Sequence, residues 1–364
     1  MYFNSMKIPS FGVAGNFTGH LEQAGEAWDF TNIKTAEVNA PKALFPTFLP
    51  PAQNAVPQGG QNCNVPQGEH NSGTSQGVCE ASAPQGVCEA SASQGGQNST
   101  TLKAACEAGT GNAVTPAFLH TFPFTSDKII FPKGEEKLQI EPECAILCDM
   151  IWNGDEIEKV IPKTFAASND CSIRKEGAKK ISQKKNWGPA SKGLSENQIE
   201  LTGAVPQDPC EACTLQGDKD AAKSDGSAFS KGGLLDNYRI ASFLVRNGKV
   251  FDYGEDSAVR DYSYIYEKLL SWICDKLNNQ GDEGPAENIH AYLLESGKPS
   301  QVMISIGATR YTDFGEHNFL AKGDRAVVVV YPENKYDHAA ISNMVKNQKY
   351  DDPMVSVLDQ VIEV

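Results

Sequence analysis

The sequence is short of positive charge. Its 364 residues carry a formal net charge of −14, which argues against a general binder of nucleic acid or of an anionic membrane surface, since neither attracts such a chain. No apolar run approaches the roughly 20 residues that a membrane span needs. The N-terminus lacks a basic flank followed by an apolar stretch, so nothing there reads as a secretory signal. Met1 to Ser5 look like an extension ahead of Met6-Lys7-Ile8. These absences give the expectation of a soluble cytoplasmic protein with no nucleic-acid or membrane partner. Also missing is the regular alternation of strand and helix patterns that marks a parallel α/β sheet.

Aromatics are absent from about 53 to 112, where Gly, Ser, Gln and Asn dominate and Gln-Gly-Val-Cys-Glu-Ala-Ser-Ala stands at 76–83 and again at 85–92. Such a stretch cannot bury enough surface to offset its ordering entropy. A second stretch, about 203–233, shares the vocabulary in Cys210-Glu211-Ala212-Cys213. Both are expected to be insertions into one catalytic-type domain spanning 6–336, followed by a tail at 337–364. Six of the ten cysteines (Cys63, Cys79, Cys88, Cys106, Cys210, Cys213) fall in these stretches. Cys210-x-x-Cys213 has no partner pair at metal-site spacing. The other four, Cys144, Cys148, Cys171 and Cys274, sit in apolar or ordered contexts, and reduced thiols are expected throughout.

What is present reads as hairpins and one long helix. Cys144–Trp152 and Glu156–Ile161 flank Asn153-Gly154, and Arg239–Arg246 and Lys249–Tyr253 flank Asn247-Gly248, the residue pair that a type I′ turn favours. Ser257 is the expected cap of a helix reaching Asn279, with Val259, Tyr262, Tyr266, Leu269, Leu270, Ile273 and Leu277 on one face. Ser300–Ala308 and Arg325–Tyr331 read as buried strands, and Met354–Val364 as a docking helix. The fold class expected is α+β.

Glu141 and Glu143 are two apart and share a face of an extended strand. Two carboxylates so placed stay ionised only beside a cation. Asp170 follows after a segment long enough to fold back, and three hard oxygen ligands suit Mg²⁺ or Mn²⁺ rather than zinc. Pro142 between the two Glu removes a ladder donor and belongs at an edge or bulge. His20 stands just past a strand end at the start of a short helical turn.

In order along the chain stand Asn16-Phe17-Thr18-Gly19-His20, Glu141-Pro142-Glu143, Asn169-Asp170-Cys171-Ser172-Ile173-Arg174 and Trp187 with Lys192-Gly193. Asn247-Gly248, Gly307-Ala308-Thr309 and Phe319-Leu320-Ala321-Lys322-Gly323-Asp324 follow. This series resembles the fumarylacetoacetate-hydrolase-like superfamily from residue 8 to about 332, insertions removed. The stretch from Gly15 to Glu26 also looks like an uncharacterised bacterial branch of it. The resemblance implies a mixed β-sandwich roll, a homodimer, and a divalent ion on Glu141, Glu143 and Asp170. It also implies Lys192 and Arg174 near the substrate, with Thr309 touching a substrate carboxylate. Asn169 joins these as a substrate-binding candidate, and His20, Lys192 and Glu22 are the catalytic candidates. The substrates implied are small 2-oxo or β-diketo acids, and the reactions are carbon–carbon hydrolysis, decarboxylation, hydration or isomerisation through an enolate. One departure stands out: Gln23 occupies the place, three after the His, where hydrolytic members carry Glu. Glu22 and Glu26 lie two and six residues from His20, not the three or four at which helical side chains meet. The alternative is a catalytically silent binding or interaction module.

Overall fold

A computed structural model describes residues 8–51, 114–175, 177–201 and 227–364, all within a compact unit formed by 1–54 and 112–364. The repeats at 76–92 and the six cysteines of the two low-complexity stretches lie outside the described residues. Two principal sheets and a few short helices build an α+β fold. The larger sheet runs Ala43–Phe48, Ser10–Ala14, Gln301–Ser305, Pro142–Asn153, Glu156–Asn169, Lys192–Leu194, Phe124–Thr125, with Ile199–Glu200 beside Glu156–Asn169. The smaller runs Lys249–Ala258, Tyr238–Arg246, Arg325–Pro332, Ser356–Glu363, Lys128–Ile130. Both are mixed: Ser10–Ala14 pairs with Gln301–Ser305 in parallel, while most other pairs are antiparallel.

Ile146, Phe165 and Ile304 of the larger sheet and Ile240, Val328 and Leu358 of the smaller share one core. The other face of the smaller sheet buries Phe243, Val329 and Tyr331 with Ile341 and Val345 of the helix His338–Asn347. Covered on both faces, the Arg325–Pro332 strand reads as an unbroken apolar run rather than an alternating one.

The two Asn-Gly turns differ. Arg246 pairs with Lys249, and Asn247 and Gly248 take φ of 53° and 72°, both positive as a type I′ turn requires. In the first hairpin Asn153 pairs with Glu156, because a register shift between Ile151 and Trp152 moves the two-residue loop on to Gly154-Asp155. Pro142 opens its strand, a position where a missing donor is harmless.

Three expectations are corrected. The helix starts at Tyr266, not after Ser257: Ser257 pairs with Ile240, so the strand ladder runs on to Ala258. Leu269, Leu270, Ile273 and Leu277 still form its buried face. Residues 227–233, expected inside the second insertion, belong to the fold, since Ser227–Phe229 is a 3₁₀ turn and Phe229 is fully buried. The presumed tail holds a capped helix, with Asp337 accepting from Ala340 N–H at 2.8 Å, and a strand, Ser356–Glu363. Ser356, Leu358, Gln360 and Ile362 alternate inward. That period of two is a strand's, not a docking helix's. Cys144, Cys148, Cys171 and Cys274 are free thiols, and among the described residues no helix is long and apolar enough to cross a membrane.

Candidate metal centre

The long hairpin sets the geometry. Pro142 pairs with Asn169 at its open end, so Glu141 and Asp170 face each other across the mouth, with the Asp170 N–H donating to the Glu141 carbonyl at 3.0 Å. One oxygen from each of Glu141, Glu143 and Asp170 lies within 4.8 Å of the others, and all three residues are buried. Glu143 Oε2 accepts from the Gly307 N–H at 2.9 Å. Gly307 holds a φ of 115°, and a Cβ there would stand 3.0 Å from Asn16 Cβ and 3.2 Å from the Val13 carbonyl. Only glycine presents that N–H without strain.

Three cations converge on these acids, and a fourth, Lys184, on the neighbouring Glu26 and Asp29. Arg174 pairs with Glu141 Oε1 and Glu26 Oε1, each at 2.7 Å. Lys185 Nζ bonds Glu141 Oε2 and lies 2.7 Å from Asp170 Oδ2. Lys192 Nζ lies 3.0 Å from Asp170 Oδ1, and Lys184 reaches Glu26 at 3.2 Å and Asp29 at 2.8 Å. Burial opposes the Glu141 charge, yet Lys185 and Arg174 outweigh it and hold the carboxyl well below the usual carboxylate range. Glu143 goes the other way: burial, then repulsion from Asp170 and Glu141, pushes it well above that range. Burial also opposes the Lys185 charge, but Asp170 and Glu141 keep the ammonium on. For Lys192 burial wins, and its pKa falls. Burial lowers His20 as well, favouring the neutral imidazole.

The donor set fits a divalent ion. Three hard oxygen donors within this span suit Mg²⁺ or Mn²⁺. Glu141 Oε1 and Asp170 Oδ2 touch their cations outside hydrogen-bond geometry, and no cation among the described residues pairs with Glu143. A cavity of about 10 Å³ is lined by His20, Glu26, Glu141, Glu143 and Lys185, among others. That is room for one water-sized body. Two wider clefts, about 450 and 410 Å³, share no lining residue with it.

The sequence candidates divide. His20 is buried at the cavity wall, its Nδ1 without a hydrogen-bond partner. Lys192 is fully buried on Asp170, 5.4 Å from the Trp187 ring centre. Thr309 is buried with an unpartnered hydroxyl but does not line the cavity. Asn169 is spent on the fold, accepting from the Glu141 N–H and donating to Gln360 Oε1, each at 3.1 Å. Arg174 is likewise committed, also donating to Gln139 at 2.6 Å and the Tyr311 hydroxyl at 2.8 Å. Glu22 is corrected: it is exposed, because two residues along a helix from buried His20 the side chain points away. The carboxylate that enters the site is Glu26, brought in as the chain leaves His20–Gln23 and its N–H donates back to the Leu21 carbonyl at 2.9 Å. Gln23 ties its helix to Tyr311, donating to that carbonyl at 3.1 Å and accepting from that N–H at 2.9 Å.

A family model described as a family of unknown function, DUF5718, matches residues 112–211 and 221–362. The chain belongs to DUF5718. No curated protein matches it. Among solved structures, this DUF5718 chain is similar to a yeast fumarylacetoacetate hydrolase family protein, with 11% identity over 98% of this chain and 92% of that one and a TM-score of 0.40. A fumarylacetoacetate hydrolase family protein from Yersinia pestis CO92 gives 11% identity, 98% and 94% coverage and a TM-score of 0.39. A 2-keto-3-deoxy-D-arabinonate dehydratase complexed with magnesium and 2,5-dioxopentanoate gives 14% identity and 0.36, over 66% of this chain and 58% of that one.

Sequence reasoning missed Lys185, which sits with Lys179, Lys180 and Lys184 in what reads as a solvated basic run. Its helix, Ser182–Lys185, is held by Ser182, whose hydroxyl donates to Glu287 Oε1. Burial lifts Glu287 from its ordinary 4.5 to about 7. Between those values the folded DUF5718 chain binds the extra proton. The contribution of Glu287 to stability is therefore fully present below pH 4.5 and is lost as pH rises through 7, about 3 kcal/mol in all. Glu287→Gln, which cannot ionise, should lose that slope in urea denaturation at pH 4.5 and 8. Equal slopes in the two proteins would refute the assignment.

Proposed function

We propose that this protein is a Mg²⁺- or Mn²⁺-dependent enzyme acting on a small 2-oxo or β-diketo acid through an enolate. The observation that carries the reading is the buried triad of Glu141, Glu143 and Asp170, with His20 and Lys192 beside it. A bound divalent ion would supply Lewis-acid stabilisation of the charge that develops on such a substrate. Glu141, Glu143 and Asp170 would hold the ion. Arg174, locked to Glu26, Glu141, Gln139 and Tyr311, fixes the Glu141 carboxylate in place. His20, with burial favouring its neutral form and Nδ1 unpartnered, is the group placed to take or give a proton. Lys192 would offset substrate negative charge. A cavity of about 10 Å³ admits no 2-oxo acid, so substrate enters only when a wall moves.

The test is a thermal melt with Mn²⁺ and oxalate, an enolate mimic. Together they should raise Tm by about 5 °C at a hundredfold excess over the dissociation constant, and no shift would refute the reading. The closed cavity and the structural use of Gln23 favour a second reading, a non-catalytic binding module. Turnover of any 2-oxo acid that is lost in both His20→Ala and Lys192→Ala would remove it.

A further inference from the structure

Lys185 stands in an unusual place for a lysine. Its side chain is 2% exposed, and its ammonium spans Glu141 Oε2 and Asp170 Oδ2, oxygens of two of the three candidate ligands. The Phe45 ring closes over it, 5.2 Å from Nζ to the centroid. An ion bound at the ~2.0–2.1 Å that Mg²⁺ requires cannot share those two oxygens with an ammonium lying between them. The charge count points the same way. Glu26, Asp29, Glu141 and Asp170 already pair with Lys184, Lys185, Lys192 and Arg174, four acids against four cations. A divalent ion added to that set is met by Glu143 alone, leaving an excess positive charge in a buried site, where unbalanced charge is costly.

We propose that Lys185 is a tethered cation seated on the divalent-ion position, so that a metal ion and the Lys185 ammonium compete for Glu141 and Asp170. The proposal rests on the metal reading above. Loading the ion then means swinging the Lys185 side chain off its two carboxylates. Its helix is a single turn anchored separately, through Ser182 on Glu287 and through Asn186, whose amide donates to the Thr47 carbonyl at 2.8 Å. The side chain can therefore leave without the backbone following.

Mn²⁺ titration of the full chain and of Lys185→Met, followed by electron paramagnetic resonance with circular dichroism as the folding control, tests this. Lys185→Met should bind Mn²⁺ at least tenfold more tightly, and its Tm should gain more from the ion. Equal or weaker binding by a folded Lys185→Met overturns the competition and leaves the metal reading standing. No binding by either protein overturns both. Where Lys185→Met does not fold, lysine acetylation of the wild-type chain read by mass spectrometry takes its place. Lys185 should label faster once Mn²⁺ is bound, and unchanged protection with the ion bound overturns the proposal.

Discussion

Arg174→Ala should cost the protein about 3–5 kcal/mol, the range found when one partner of a buried ion pair is removed. The guanidinium side chain is 9% exposed and meets two carboxylates, an amide oxygen and a phenol. Alanine leaves Glu26 and Glu141 facing each other with Lys184 and Lys185 as their remaining cations. Arg174→Lys should recover only part of the loss, because an ammonium cannot reproduce the planar fork that reaches all four partners. Urea denaturation of the three proteins measures this. A loss under about 1 kcal/mol for Arg174→Ala, the level of an exposed pair, would show that the neighbouring lysines suffice.

Asp170→Asn keeps the shape and removes the charge. Two effects should appear together. Lys185 and Lys192, both buried on Asp170, lose their common counter-charge, and stability should fall by about 3 kcal/mol. Mn²⁺ affinity should fall by more than the roughly 10–100-fold typical of losing an outer-shell partner, since a proposed ligand itself is altered. Calorimetric titration with Mn²⁺ reads the second effect and urea denaturation the first. Undiminished Mn²⁺ binding would place the ion elsewhere; undiminished stability would mean that Glu141 alone holds Lys185.

Much of this site was legible because its acidic members announce themselves locally. Glu141 and Glu143 share a face by strand period alone, and Asp170 comes beside them through a hairpin that Asn153-Gly154 signals one residue ahead of its actual loop at Gly154-Asp155. The strand Arg325–Pro332 shows in its apolar run. The motif order suggested a fumarylacetoacetate-hydrolase-like chain. The cations were not legible. Nothing in Lys179-Lys180-Ile181-Ser182-Gln183-Lys184-Lys185 distinguishes exposed Lys179 from buried Lys185. The difference arises only when the 182–185 turn lies against the acid cluster. Glu26 escaped because helical spacing from His20 was the criterion, and the chain is no longer helical where Glu26 turns inward. The final strand was misread because Met354–Val364 is short and half apolar, and its pairing with Arg325–Pro332 is a long-range fact. Thr309 and Asn169, candidates by motif order, do not line the cavity. Asn169 braces the backbone at Glu141.

That brace reaches further. Gln360, fully buried in the last strand, accepts from Asn169, and Asn169 accepts from the Glu141 N–H. Gly193 is pressed so close that a Cβ there would fall 2.3 Å from Gln360 Oε1. The placement of the first candidate ligand is thus inherited from a residue far downstream and from the lack of a side chain at 193. Anyone seeking to retune this acid cluster should vary positions 193 and 358–360 alongside Glu141, Glu143 and Asp170 themselves, because a site with unchanged carboxylates can still be detuned from its back wall.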